Sequence, residues 1–219
     1  MPIRIDSTDL VYFPVPKTAC TSIKHALLNH NRDGLADRLP LSLPLRGEIR
    51  QVHNFYGTRT YHWWYRLQYA GLRWVCVVRD PLERFMSGYA NRIVHLGDLT
   101  RGNCRPKLEA RGLSTTPELD EFVQHFEDYY RLCGRVQHHF RPLCDFLGRD
   151  PDRFTDVFTL SDLDRFQALC EEAGVTLNLP RLQTEGVKRP VSDLQGAQRT
   201  FLESFYAMDY AYWGRYFRA

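Results

Sequence analysis

The chain of 219 residues is 43% apolar and 25% charged with a formal net charge of +3, which excludes a disordered or fibrous polymer and fits one globular domain spanning residues 1–219. The positive excess suits an anionic ligand but lacks the concentrated basic patch of a nucleic-acid binder, so no nucleic-acid partner is expected. No apolar run approaches the roughly 18 residues that span a bilayer, and the first strand candidate follows Met1 too closely for a secretory leader; the expectation is therefore a cytoplasmic protein without a transmembrane segment.

In chain order, Leu10–Val15 reads as a short buried strand and Thr18–Asn29 as a helix that turns Ile23, Ala26 and Leu27 to a sheet. Pro40 and Pro44 argue against regular structure between about Arg32 and Glu48, and Ile49–His53 reads as a second short strand. Tyr61–Tyr69 is weakly helical, with Trp63, Trp64 and Tyr65 expected to pack. The segment Leu72–Val78 carries the nearly continuous apolar run of a central parallel strand covered on both faces. Pro81 then suits the first turn of a helix whose Leu82, Phe85, Met86, Tyr89 and Ile93 share one face, leaving Arg84, Ser87 and Asn91 elsewhere.

Gly97–Pro117 is polar and turn-rich. Leu119, Phe122, Val123, Phe126 and Tyr130 mark an amphipathic helix, with Val136–Leu147 continuing the helical layer. Asp156–Leu160 resembles a later strand, followed by a capping box between Ser161 and Asp164 and a helix stopped at Gly174. Leu194, Phe201, Leu202 and Phe205 indicate a C-terminal helix, and Tyr206–Phe217 is an aromatic tail expected to pack on the domain. Repeated strand-to-helix units predict an α/β fold with a mostly parallel central sheet flanked by helices, whose ligands bind beyond the carboxyl ends of the strands.

Two such strand ends carry chemistry. In Pro14-Val-Pro-Lys-Thr-Ala-Cys-Thr-Ser22, small residues let the backbone curve around an oxyanion, the following helix supplies amide donors, and Lys17 adds a charge. A capped helix with a solvated lysine remains an equal alternative on local physics, and no Walker Gly-x-x-x-x-Gly-Lys pattern is present. In Arg79-Asp-Pro-Leu-Glu-Arg-Phe-Met-Ser87, the guanidinium of Arg79 suits a phosphate and Ser87 adds a hydroxyl, while Asp80 and Arg84 are expected to pair locally. The cysteines Cys20, Cys76, Cys104, Cys133, Cys144 and Cys170 show neither zinc-site spacing nor a secreted disulfide pattern, so free thiols and no metal are expected.

Together "PVPKTACTSIKHALL" and "RWVCVVRDPLERFMSGYANR" resemble the two nucleotide-binding motifs of the carbohydrate sulfotransferase superfamily, in particular its heparan, uronyl and chondroitin-type branch. The later "QHHFRPLCDFLG", "VFTLSDLDRFQALCEEAG" and "YAMDYAYWG" are similar to bacterial members. The resemblance implies a P-loop-kinase-like sulfotransferase fold and the donor 3'-phosphoadenosine 5'-phosphosulfate (PAPS), with PAP as product. It also implies that Lys17, Thr18, Ala19, Cys20, Thr21 and Ser22 hold the 5'-phosphosulfate while Arg79 and Ser87 hold the 3'-phosphate. Cys20 stands where the family commonly has serine.

The resemblance further places a catalytic histidine between the two motifs, where His53 stands. A neutral imidazole can take the proton of an attacking hydroxyl; a structural or substrate-binding role for His53 stays open, and His138 and His139 are competitors. The heparan-type pair of histidines separated by one residue is absent, since Gln51 and Phe55 flank His53 at that spacing. The implied reaction is direct, metal-independent sulfuryl transfer with Lys17 stabilising charge on the leaving phosphate oxygen, and Lys24 is the next cation to consider. The acceptor is a hydroxyl-bearing saccharide, glycolipid or small metabolite. An atypical nucleotide-dependent kinase and a non-catalytic nucleotide-binding module are the alternatives.

Overall fold

The computed structural model describes residues 1–33, 52–180 and 187–217. The proline-bearing connection expected between Arg32 and Glu48 lies almost wholly outside them. Four strands, β1 (Ile3–Arg4), β2 (Leu10–Phe13), β3 (Arg73–Val77) and β4 (Asp156–Phe158), form one sheet in the order β1-β2-β3-β4. β1 runs antiparallel to β2, whereas β2, β3 and β4 are parallel. This is the mostly parallel α/β sheet that the apolar runs predict, and β3 occupies the interior position expected of it.

The chain divides into two compact units: residues 1–79, 143–183 and 212–219 in the first, 80–142 and 184–211 in the second. In the first unit the sheet is buried on both faces, as the period of two along a strand requires. Leu10, Tyr12, Val75 and Val77 pack with Ile23, Ala26 and Leu27 of α1 (Cys20–Asn31) and with Phe166 and Cys170 of a later helix. Val11, Phe13, Trp74 and Cys76 turn to the opposite face and pack with Leu143, Phe146, Phe154 and Trp213. Each such side chain, removed from water, contributes about 1.5–3 kcal/mol, which explains why these strands tolerate almost no polar residue.

Between β2 and β3, residues 52–55 are helical and α2 spans Tyr65–Gln68. The strand expected at Ile49–His53 is therefore corrected where it is described: Val52 packs against Leu28 as part of a helical turn, a hydrophobic contact that a short apolar run does not distinguish from strand pairing. Trp63 and Trp64 do not pack as expected, being 62% and 50% exposed; their rings meet each other edge-on at 5.8 Å.

The second unit begins with α3 (Pro81–Gly88), capped by Asp80, which accepts from the amides of Leu82 and Glu83 at 2.9 and 3.2 Å, with Pro81 in the first turn. A π-helical segment, Tyr89–His95, continues it. After it come α4 (Cys104–Glu109), α5 (Leu119–Gln124), α6 (Phe126–Leu132) and α7 (Gly134–Phe140). The polar stretch 97–117 thus contains a helix, because Cys104 and Leu108 are drawn into the core. That core gathers Leu82, Phe85, Met86, Tyr89 and Ile93 with Phe122, Phe126, Phe140, Leu202 and Tyr206, so the helical face read from the sequence is the buried one.

Three sequence expectations fail here: the Arg84–Asp80 pair, the outward Arg84 and Asn91, and six unbonded cysteines. Arg84 does not pair with Asp80 or point away from the core: it is buried, and its guanidinium donates to the backbone carbonyls of His139 (3.4 Å) and Arg141 (2.5 Å). These carbonyls close α7 ahead of Pro142, which ends the helical layer by removing an amide donor. Asn91 is likewise buried. Cys104 and Cys133 are joined in a disulfide with their Cα atoms 5.2 Å apart, while Cys20, Cys76, Cys144 and Cys170 are buried outside any disulfide. The spacing of 29 residues has no sequence signature; α4 and the junction of α6 with α7 bring the pair together.

In the first unit α8 (Cys144–Leu147) precedes β4, and α9 (Leu163–Glu172) follows it. The capping box lies earlier than expected, between Thr159 and Asp162 rather than Ser161 and Asp164, because a 3-10 turn, Leu160–Asp162, intervenes. Its hydrogen bonds from Thr159 hold the Asp162 carboxyl below its ordinary range. Gly174 stops the chain's helical run with φ 85°, a left-handed geometry that favours glycine. α10 (Gly196–Phe205) supplies Leu202 to the second core, and α11 spans Ala207–Trp213. No helix among the described residues is long and apolar enough to cross a membrane.

Replacing Arg84 by Met keeps the volume but removes the donor from two partly buried carbonyls, an expected cost of about 1–2 kcal/mol. Urea denaturation followed by circular dichroism measures it; a loss below about 0.5 kcal/mol would show that the carbonyls find other donors.

Candidate active site

At the carboxyl end of β2 the chain turns through residues 14–19 before α1 starts at Cys20. Lys17 and Ala19 both take left-handed backbone conformations, with φ 70° and 57°, each costing about 1–2 kcal/mol for a residue with a Cβ. The surrounding residues hold that strain in place. Pro14, Val15 and Pro16 are buried, and Thr18, also buried, donates from Oγ1 to the carbonyl of Val15 at 3.0 Å. Turns of this kind aim successive amides into a concavity that accepts an anion.

The helix extends the same property. No side chain caps the N-terminus of α1 and its first turn has no acidic residue, so no carboxylate of that turn opposes an anion at the positive end of the dipole. Thr21 and Ser22, in the first turn, are buried. Cys20 is buried too, and it contributes its backbone to the turn rather than an exposed thiol.

Within the helical turn 52–55, His53 reaches α1. Its Nε2 lies 3.4 Å from Thr21 Oγ1 and its Nδ1 3.3 Å from Lys24 Nζ. Lys24 is wholly buried, and its Nζ donates to Thr58 Oγ1 at 2.5 Å. Burial pulls the Lys24 ammonium below its ordinary pKa, with Cys20 acting in the opposite direction to a smaller extent. The contact with His53 is the feature that sequence reading missed. Its trace is the spacing: Lys24 follows Thr21 by three residues, so both lie on one helix face.

Arg79 follows β3, one residue beyond Val78, whose amide donates to the Phe158 carbonyl at 2.7 Å. Because β2 and β3 are parallel with Phe13 opposite Cys76, the turn at Lys17 and the half-buried Arg79 emerge from the same end of the sheet. Of the sequence-derived set, Thr21 is in direct contact with His53, and Arg79 leaves the sheet at the same end as the turn at Lys17. Ser87, half-buried, belongs to the second unit on α3. His138 and His139 stand on α7 in that unit, with their rings edge-on at 5.0 Å.

Chemically, the first unit offers a lysine at a strained turn and, against the helix that follows, an imidazole in contact with Thr21. That combination can bind an anionic group and take up a proton. The family model described as "Sulfotransferase family" matches residues 3–216. Neither the curated proteins nor the solved structures give a match.

The strain at Ala19 is testable by itself. Ala19→Gly removes the left-handed penalty while adding freedom to the unfolded chain, so a net gain of about 0.5–1 kcal/mol is expected. A denaturation midpoint that falls instead would show that the methyl group packs productively in the turn.

Proposed function

Since the chain belongs to the sulfotransferase family, we propose that it transfers a sulfuryl group from PAPS to a hydroxyl-bearing acceptor, a saccharide, glycolipid or small metabolite, without a metal. The observation that carries this reading is the left-handed turn at Lys17 and Ala19 leading into an uncapped helix, which suits the phosphosulfate end of the donor. Bound PAPS supplies an activated sulfuryl group on a phosphate leaving group. The chain's own residues account for the rest. The match over residues 3–216 favours reading both compact units as parts of one sulfotransferase domain.

In this reading Lys17 and the amides of Thr18 to Ser22 hold the 5'-phosphosulfate, and Lys17 stabilises the negative charge that grows on the oxygen bridging phosphorus and sulfur. Arg79 and Ser87 hold the 3'-phosphate, as the family motifs imply. His53 receives the acceptor's proton as the new S–O bond forms and the old one breaks. Thr21, in contact with the His53 ring, orients it toward the turn.

Cytoplasmic residence belongs to the same reading, although a bond between Cys104 and Cys133 suits oxidising surroundings better. Rapid alkylation in intact cells decides between them: all six cysteines reactive after denaturation support the cytoplasm, and four support an oxidising compartment.

Transfer of label from sulfur-labelled PAPS to an acceptor panel, with no phosphate transfer from ATP, is the expected result. Failure of the folded protein to bind either PAPS or PAP would overturn the donor assignment. Lys17→Ala should lower the saturated rate by about 10²–10³-fold, and His53→Ala by about 10²–10⁴-fold, with smaller changes in PAP affinity. If either variant transfers sulfate at the native rate when chemistry limits turnover, its assigned role is wrong.

A further inference from the structure

The contact between Lys24 and His53 bears on which ring nitrogen is basic. An imidazole that acts as a base at Nε2 must carry its proton on Nδ1 beforehand. Nδ1 faces Lys24 Nζ at 3.3 Å. An ammonium has three donors and no acceptor, so a charged Lys24 would donate to Nδ1, put the proton on Nε2, and leave the ring unable to take a proton there. A neutral amine is able to do the reverse: its lone pair can accept the Nδ1 proton while one of its own hydrogens serves Thr58 Oγ1, 2.5 Å away.

Resting on the reading of His53 as the base, we propose that Lys24 is its positioning residue: as a neutral amine anchored on Thr58, it accepts the Nδ1 proton and keeps Nε2 basic on the side of Thr21. The surroundings favour the neutral amine. Lys24 is buried without exposure, and desolvation is the largest influence on it, opposed by Cys20 on its own helix. From the N-terminal segment it is faced by the Met1 amino group, itself held down to about 5 chiefly by its own burial. From the turn 52–55 it is faced by His53, and from the following stretch by the uncharged Thr58.

The proton inventory closes. The acceptor hydroxyl's proton passes to Nε2 as oxygen bonds to sulfur, and the resulting imidazolium keeps its Nδ1 proton directed at the Lys24 lone pair. The positive charge formed on the ring is thus met by an amine able to accept from it, in place of the carboxylate that usually fills this position. Protonation of Lys24 reverses the tautomer, so the reaction should lose rate as pH falls through the lowered Lys24 pKa.

The test is the tautomer itself, read from long-range hydrogen–nitrogen correlation spectra of protein labelled with 15N-histidine near pH 8, with His53→Gln identifying the His53 signals. The expected wild-type pattern has Nδ1 protonated and Nε2 bare. Lys24→Arg, which is charged at every accessible pH and only donates, should invert that pattern. Lys24→Met, which removes the acceptor without charge, should shift the ring toward the Nε2-protonated form. Both variants should lose sulfuryl-transfer rate by about 10²-fold or more, with PAP affinity changed less than about threefold.

A wild-type ring protonated on Nε2, or a pattern unaltered in a folded variant, overturns the proposal; the wild-type spectrum decides alone if neither variant folds. The spectrum needs neither donor nor acceptor. The wrong tautomer in an active sulfotransferase therefore rejects Lys24 alone, whereas the expected tautomer without sulfuryl transfer rejects the reaction and leaves the Lys24–His53 pairing intact.

Discussion

Parallel pairing of β2 with β3, in register from Leu10 opposite Arg73 to Phe13 opposite Cys76, is the constraint from which the arrangement of the first unit follows. Parallel neighbours leave a sheet at the same end, and their connections must return across its faces. The turn through Lys17 and the arginine after Val78 are thereby delivered to one end of the sheet although 62 positions of sequence separate Lys17 from Arg79. The pairing persists because both faces of these strands are covered, Tyr12 and Val75 on one side and Phe13 and Trp74 on the other. A register slip of one residue would exchange the two sets and disrupt both packed layers.

Given that frame, the turn into α1 concentrates donors where they are costly to hold. Two left-handed residues, neither of them glycine, flank Thr18, and strain of that kind persists only when its surroundings overdetermine it. Buried prolines on the entering side and the Thr18 bond to Val15 do so here. In the proposed reaction, amides pre-oriented by a strained turn would need no reorganisation when charge develops on a transferred group. Lys24 belongs to the same logic, since a lysine is rarely buried without a paired charge, and this one is set against an imidazole and a threonine.

The second unit is organised by a different interaction. Phe85 meets Phe126 and Phe140 with ring centroids 5.3 and 5.1 Å apart and their planes steeply inclined, the edge-to-face geometry that aromatic quadrupoles favour. Arg84, one position earlier on α3, enters the same interior to satisfy the end of α7 and lies 5.6 Å from the centre of the Tyr206 ring. One helix therefore supplies both the apolar face and the polar closure of its unit, and the disulfide between Cys104 and Cys133 ties α4 to the start of α7.

The sequence by itself determined the strands that carry unbroken apolar runs, the buried face of α3, its proline start at Pro81, and the sulfotransferase motifs. All of these depend on local periodicity or on residues with restricted backbone chemistry. It did not determine that residues 52–55 form a helical turn, because four residues hold too little periodicity to separate turn from strand. Nor did it determine the bond between Cys104 and Cys133, the inward turn of Arg84, or the exposure of Trp63 and Trp64. Those depend on partners far away in the chain. The same holds at the site: Lys17 and His53 were legible as separate candidates, but the pairing of His53 with Lys24 exists only because tertiary packing buries an amine 29 positions from the imidazole it touches.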